Sequence, residues 1–345
     1  MTSGSPYSDS LILGIESSCD DTSAAVIHGN KILANVTAGQ EVHRHYGGVV
    51  PELASRAHQK HVVPVIDRAL KLAEVKPEQL DAIAYTRGPG LLGSLLVGSS
   101  FAKAMAQALH LPAYPIHHMR AHILAHFILQ EGVEPPQFPF LCLTVSGGHT
   151  QLVIVHGPNE MELIGETLDD AAGEAFDKAA KLLGLPYPGG PLIDRYAQGA
   201  DASAFRLPRP KVDGYNWSFS GLKTAFRNLV EKERRANPHF VETQLPKLCA
   251  SLQDAIVDML MQRLVEAASA KKIDRIALAG GVSANSGLRR ALEQEAQKRS
   301  WQTHVLPLEY CTDNGAMIAM AGYFAHQSGA NTSLSDSAKA RWLME

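Results

Sequence analysis

Residues 11–36, LILGIESSCDDTSAAVIHGNKILANV, decide the fold. Leu11 to Ile15 is a short apolar run, and the polar turn from Glu16 to Ser23 follows it. Ala24 to Ile27, the turn His28-Gly-Asn30 and Ile32 to Val36 then complete a three-stranded meander. Residues 141–164, LCLTVSGGHTQLVIVHGPNEMELI, repeat the plan. Strands are expected at Leu141 to Val145, Leu152 to Val155 and Met161 to Ile164, with the turn Ser146-Gly-Gly-His-Thr150 between the first two. Even the second turns correspond, IHGN against VHGP.

The correspondence continues outward. Asp81-Ala-Ile-Ala-Tyr-Thr-Arg-Gly-Pro-Gly90 parallels Asp274-Arg-Ile-Ala-Leu-Ala-Gly-Gly-Val-Ser283, each a buried-type strand running into glycines and a helical segment. Each half then offers one more strand, Ala113 to Ile116 and His304 to Leu306. Matches in the same order predict a duplicated α/β lobe whose helices cover the sheet, with the cleft between lobes as the natural site. Amphipathic helices are expected over Pro51 to Leu72, Leu95 to Leu109, Ala171 to Leu183, Leu245 to Ala270 and Ser286 to Lys298. The proline-rich EGVEPPQFP, residues 131–139, is the best junction. The expected lobes are 10–136 and 137–312, with a helix over 313–330 packing back on the first.

Composition limits the function. The 345 residues, 45% apolar and 19% charged, hold enough apolar surface for two cores. A formal net charge of −3 gives no global positive field for nucleic acid, so any RNA contact must be local or shared with a partner. The four cysteines, Cys19, Cys142, Cys249 and Cys311, form no C-x-x-C pair and read as buried thiols. No apolar run is long enough for a membrane span, and MTSGSPYSDS has neither region of a signal peptide, so a cytoplasmic protein is expected.

In His117-His-Met-Arg-Ala-His122, His118 and His122 are four apart and share one face of a helix, where two imidazoles can chelate Zn²⁺ or Fe. The same spacing also occurs on helices that hold no metal. Duplication adds a third donor: His118 lies just past the last strand of the first lobe, and Asp313 just past that of the second. Symmetry would bring them together across the cleft, and three protein ligands would leave open positions for substrate or water. The alternative for Asp313 is a carboxylate at a helix N-terminus. Zinc peptidases place a general-base Glu directly after the first His; Met119 stands there instead.

The turn Ser146-Gly-Gly-His-Thr150 can aim amides at an anion or serve as a plain hairpin turn. Gly280-Gly-Val-Ser-Ala-Asn285 follows a strand and opens a helix, so it can face a phosphate or admit a flat ligand. Residues 169–178 and 187–194 concentrate acids and glycines, where carboxylates could hold ribose hydroxyls or simply form a solvated helix N-terminus and a rigid loop. Arg206, Arg209, Lys211, Lys223 and Arg227, near Tyr215 and Trp217, are basic residues of weak nucleic-acid pattern. Neither a P-loop nor a G-x-G-x-x-G fingerprint is present.

Taken together, GIESSCDDTS, GGVVPELASRAH, HHMRAH, SGGHTQL, DDAAGEAFDKAAKLLGLPYPGGP, FSGLKTA, AGGVSAN and CTDNGAM resemble the tRNA N(6)-adenosine threonylcarbamoyltransferase family over about residues 11–325. The resemblance implies two actin-like ATPase (ribonuclease H-like) lobes. It also implies transfer of a threonylcarbamoyl group from threonylcarbamoyl-AMP to N(6) of adenosine 37, in tRNAs that read codons beginning with adenine. By motif match, His118, His122 and Asp313 resemble metal ligands for one divalent ion, Fe²⁺ or Zn²⁺. Thr144, Val145, Ser146, Gly147, Gly148, Asp177, Gly190, Asp194 and Asn285 resemble substrate-binding residues. Asp20 or Asp21, on the first-lobe turn equivalent to SGGHT, is the candidate catalytic base; family members often carry Asp-Glu where this chain has Asp-Asp. Implied partners are tRNA, a paralogous actin-like subunit (TsaB type) and a P-loop ATPase (TsaE type). The competing readings are a small-molecule kinase of the same fold, which needs only Mg²⁺ with nucleotide, and a non-enzymatic scaffold.

Overall fold

The computed structural model describes residues 7–344; Met1 to Pro6 of the polar opening stretch lie outside the described residues. The first half runs β1 (Leu11–Glu16), β2 (Thr22–His28), β3 (Lys31–Ala38), α1 (Val42–Tyr46), α2 (Pro51–Ala73), β4 (Ala82–Gly88), α3 (Leu92–Leu109), β5 (Ala113–His117) and α4 (His118–Leu124). The second runs β6 (Phe140–Val145), β7 (Thr150–Gly157), β8 (Glu160–Glu166), α5 (Ala172–Leu182), α6 (Gly190–Ala197), α7 (Ser220–Ala236), α8 (Phe240–Lys271), β9 (Arg275–Ala279), α9 (Ser286–Arg299), β10 (Gln302–Val305), α10 (Leu308–Cys311) and α11 (Gly315–Gln327).

The two sheets have one topology. The order β3-β2-β1-β4-β5 is matched by β8-β7-β6-β9-β10. In each, the meander is antiparallel and the last two strands add in parallel. Strands β2 and β6 are buried along almost their whole length. They are covered on both faces, which is why they read as continuous apolar runs rather than alternating ones.

Among the described residues, apolar side chains gather in three clusters, one more than composition suggested. Leu13, Val26 and Ile83 pack under α2 and α3 through Val62, Ile66 and Ala102. In the second lobe, Leu141, Leu143 and Ile154 meet Phe176, Trp217, Phe226 and Leu260. The third cluster joins the opposite faces of both sheets: Ile12 and Ala84 on one side, Cys142 and Ala277 on the other, with Met119, Met317 and Met320 of α4 and α11 between them.

Helix α11 packs against β1, β2 and β4, and small residues let it approach. A Cβ on Gly14 of β1 would sit 2.3 Å from the Ala319 backbone nitrogen, and one on Gly322 would sit 2.3 Å from the Ala84 Cβ. Backbones this close leave no room for a side chain. The Gly315 amide also donates to Ser23 Oγ at 2.8 Å, which pins the start of α11 to β2.

Besides the short α1 and α10, two further helices were not expected from the sequence, α6 and α7. Helix α6 opens on Gly190-Pro191, residues that read as a loop but suit a first turn, where the missing N–H would have no partner anyway. Helix α7 buries only Leu222, Phe226 and Val230, a narrow stripe four residues apart, and its remaining charge reads as a solvated run. All four cysteines are free, three of them buried. Among the described residues, no helix is long and apolar enough to cross a membrane.

Candidate metal centre and active-site cleft

Helix α4 follows β5 directly, so the strand's end delivers His118 and His122 to the space between the sheets. The His118 Nε2 lies 3.4 Å from Asp313 Oδ1, and the His122 Nε2 lies 3.1 Å from the same oxygen. One donor atom from each of the three residues falls within 4.8 Å of the others. The imidazole rings are nearly perpendicular, 4.7 Å apart. Both histidines are buried, whereas the Asp313 side chain is 28% exposed toward the cleft. Asn314, not Asp313, caps α11 by accepting from the Met317 amide at 3.0 Å. Asp313 is therefore turned to the histidines instead of to its own helix.

Glu16, which the sequence did not single out, orients this centre. It ends β1 fully buried, and its Oε2 lies 2.9 Å from His118 Nδ1. Thr86 Oγ1 donates to the same carboxylate oxygen at 2.7 Å, the Ser18 amide donates to Oε1, and Ser18 Oγ lies 3.2 Å from His118 Nδ1. A carboxylate that accepts from Nδ1–H leaves the Nε2 lone pair facing Asp313. Burial alone would raise the Glu16 carboxyl, but His118 holds it below its ordinary range. The available signal was an acid closing an otherwise apolar strand.

A cleft of about 880 Å³ opens beside Asp313, lined from the first lobe by Cys19, Asp20, Asp21, Gln40 and His43, and from the second by Ser146, Gly147 and Tyr187 among others. Asp20 and Asp21 thus both reach it. They differ in environment: burial, then the neighbouring Asp20, Asp313 and Glu16, push the Asp21 carboxyl up to about 7.

The second-lobe residues gather on the opposite wall. Thr144 and Val145 are buried within β6, and Ser146, Gly147, Asp177, Gly190, Asp194 and Asn285 line the cleft. Gly148 lies beyond that lining, although a Cβ on either Gly147 or Gly148 would meet nothing within 4 Å. Gly173 and Gly280 make the wall possible: their Cβ positions would fall 2.5 Å from the Ser146 and Val145 carbonyl oxygens respectively. The acids also have internal work. Asp177 Oδ1 accepts from the Gly189 and Gly190 amides at 2.8 and 3.1 Å. Asp194 accepts from the Ser286 amide and hydroxyl, and Asn285 caps α9 at the Leu288 amide while donating to Gln253.

The model of the tRNA N6-adenosine threonylcarbamoyltransferase family matches residues 31–320. This chain belongs to that family. Relatives of the same name are 56% identical in Christiangramia forsetii, over 96% of this chain and 97% of the relative, and 53% in Porphyromonas gingivalis, over 93% and 95%. A more divergent one, from Symbiobacterium thermophilum, is 48% identical over 95% of each. The chain is accordingly a transferase.

Solved structures share the transferase's fold at low identity. Full-length HypF in a phosphate- and nucleotide-bound form superposes with a TM-score of 0.62 at 13% identity, over 93% of this chain and 47% of that one. Component A of the Acidaminococcus fermentans (R)-2-hydroxyglutaryl-CoA dehydratase does so at 0.50 and 16%, over 92% and 99%. These neighbours establish the two-lobed actin-like architecture.

The transferase's donor set fits a metal: two imidazole nitrogens and a carboxylate oxygen converge, with one imidazole oriented by a buried acid. Other expected residues serve the fold. Asp169 accepts from Ser218, Phe219 and Ser220 at the start of α7, and Asp170 pairs with Lys178 and Lys223, so neither acid of that pair is poised for a ribose. Trp217 is core, donating Nε1–H to the Met259 carbonyl at 3.0 Å. Arg209 is held by Asp254 and Asp258 and Arg227 lies 3.9 Å from Glu231, while Arg206 and Lys211 are exposed.

Proposed function

We propose that this cleft transfers the threonylcarbamoyl group of threonylcarbamoyl-AMP to the N6 amine of adenosine 37, in tRNAs that read codons beginning with adenine. The observation that carries the reading is the convergence of His118, His122 and Asp313 at the edge of a cleft shared by the Ser146–Gly147 turn. His118, His122 and Asp313 would hold a divalent ion, which would supply Lewis-acid chemistry toward the adenylate phosphate; we propose Fe²⁺, with Zn²⁺ as the other ion suited to this donor set.

The chain's own residues supply the rest. The open Gly147 and Gly148 backbone admits an oxyanion close to its amides. Thr144, Val145 and Ser146 form the strand end beneath the donor, and Asp177, Gly190, Asp194 and Asn285 shape the far wall. The adenine amine is a weak nucleophile that must lose a proton. Asp21, with its carboxyl raised to about 7, accepts that proton at neutral pH better than an ordinary carboxylate, with Asp20 beside it as the second candidate.

The reaction occurs in the cytoplasm, where tRNA and the donor-forming enzyme reside. Its helpers are an actin-like paralogue of TsaB type and a P-loop ATPase of TsaE type. The test incubates the protein with these partners, the donor-forming enzyme, tRNA, threonine, bicarbonate and ATP, and reads the nucleoside by mass spectrometry. Threonylcarbamoyladenosine with the native chain, and none with the His118→Ala His122→Ala variant, is expected. Full product from that double variant would refute the metal-centred reading.

A further inference from the structure

After α11 the chain returns along the first lobe toward the metal centre. Asp336 pairs with Arg87 at 3.2 Å and Arg87 Nε donates to the Ser337 carbonyl at 2.9 Å. The Lys339 amide donates to the Arg87 carbonyl at 2.8 Å, and the Gly90 amide to the Ala340 carbonyl at 3.1 Å. Contact is so close at Gly88 that a Cβ there would overlap the Lys339 carbonyl oxygen. The Trp342 ring lies 4.9 Å from the His117 ring, with the Arg87 guanidinium and the Lys339 ammonium 5.2 and 5.3 Å from its centre, and Met344 is buried in the core shared by the lobes.

His117 is where this segment meets the metal-binding helix. Its Nε2 lies 3.0 Å from the Trp342 carbonyl oxygen, and its Nδ1 lies 3.2 Å from the Met119 amide nitrogen. A carbonyl can only accept, so Nε2 carries the proton; a neutral imidazole protonated there has its lone pair on Nδ1. That lone pair is what accepts from Met119, making His117 the N-cap of the helix that carries His118 and His122. The opposite tautomer would turn an N–H against the Met119 N–H. A second path converges on the same place: the Leu91 amide, next to strap-bound Gly90, donates at 2.7 Å to the Ser18 carbonyl, and Ser18 Oγ borders His118 Nδ1.

We propose that residues 336–344 form a positioning strap for the metal centre, in which the Trp342 carbonyl selects the His117 tautomer that caps the His118–His122 helix. The inference rests on the metal-ligand reading of His118, His122 and Asp313.

The experiment measures Zn²⁺ affinity by competition with a chromophoric chelator, for the full chain, a chain lacking residues 341–345, His117→Asn, His117→Phe and the shortened chain carrying His117→Asn. An asparagine can cap the helix without a tautomer to select. Expected are a loss of about five-fold, the scale of one helix cap, for the shortened chain and for His117→Phe. His117→Asn should bind as the native chain does, and shortening should cost it nothing further. Nitrogen-15 spectra should show His117 protonated at Nε2 in the full chain and a mixture of tautomers after shortening. Native affinity in the folded shortened chain, or an equal loss on shortening in the His117→Asn background, overturns the proposal. Should the shortened chain fail to fold, equal affinities of His117→Asn and His117→Phe overturn it. If the native chain binds no Zn²⁺ and His118→Ala changes nothing, the metal reading has failed, and the His117 spectrum alone still tests the strap contact.

Discussion

Glu16 shows what a sequence conceals at the scale of single residues. His118, His122 and Asp313 were legible, because helix periodicity joins the first two and duplication points the third at them. Glu16 lies 102 positions from His118, and no spacing rule connects them. Replacing Glu16 by Ala should lower metal affinity by about 10- to 100-fold, the usual cost of losing an outer partner of a ligating histidine, while the thermal melt keeps its shape. Unchanged affinity in a chelator competition would show that His118 needs no such partner. Asp21 makes a separate prediction. A base must be deprotonated to act, and a carboxyl raised to about 7 is largely protonated below that pH, so the single-turnover rate should climb as pH rises through about 7. Asp21→Asn should remove that limb; if the limb persists at the same pH, another group is the base.

At the scale of elements, the strands were legible because turn residues punctuate apolar runs, and the repeat confirmed each half by the other. Helix α7 was not, since its buried stripe of Leu222, Phe226 and Val230 covers so little of its surface. Its start is held from outside by Asp169, which accepts from the Phe219 and Ser220 amides at 2.8 and 3.2 Å and from two serine hydroxyls. Those amides have no helical partner, so Asp169→Ala should destabilise the protein by about 1 kcal/mol in urea unfolding. Metal affinity should not change, and a loss of metal there would place Asp169 in the site after all. Helix α11 behaves differently because it carries Asp313 at its head. Gly14→Ala would drive a methyl into the Ala319 backbone, costing about 1–3 kcal/mol as overpacking and displacing Asp313 from the histidines. Both stability and metal affinity should therefore fall; a fall in stability alone would show that α11 can shift without moving its first turn.

The whole molecule departs most from a reading of two lobes with separate cores. Duplication suggests two independent units, yet Ile12, Ala25, Ile27 and Ala84 of the first sheet face Met317, Ile318 and Met320 of a helix reached only after the second lobe is complete. Residues 10–136 alone would leave that face in water. At about 25 cal/mol per Å² of apolar area, one sheet face is comparable with the entire net stability of a domain. The first lobe should therefore not fold by itself, and the full chain should unfold as one unit. Far-UV circular dichroism and tryptophan fluorescence should give coincident urea transitions, with residues 10–136 showing no cooperative transition. A ligand bound only by the native state shifts that single midpoint upward, so added Zn²⁺ should move both probes together. Separate midpoints, with metal shifting one of them, would mean that the cleft closes between lobes that fold independently. Burial of the first sheet's face under α11 instead makes the His118–His122–Asp313 cluster, built from the end of one lobe and the head of the returning helix, report on the folding of the entire chain.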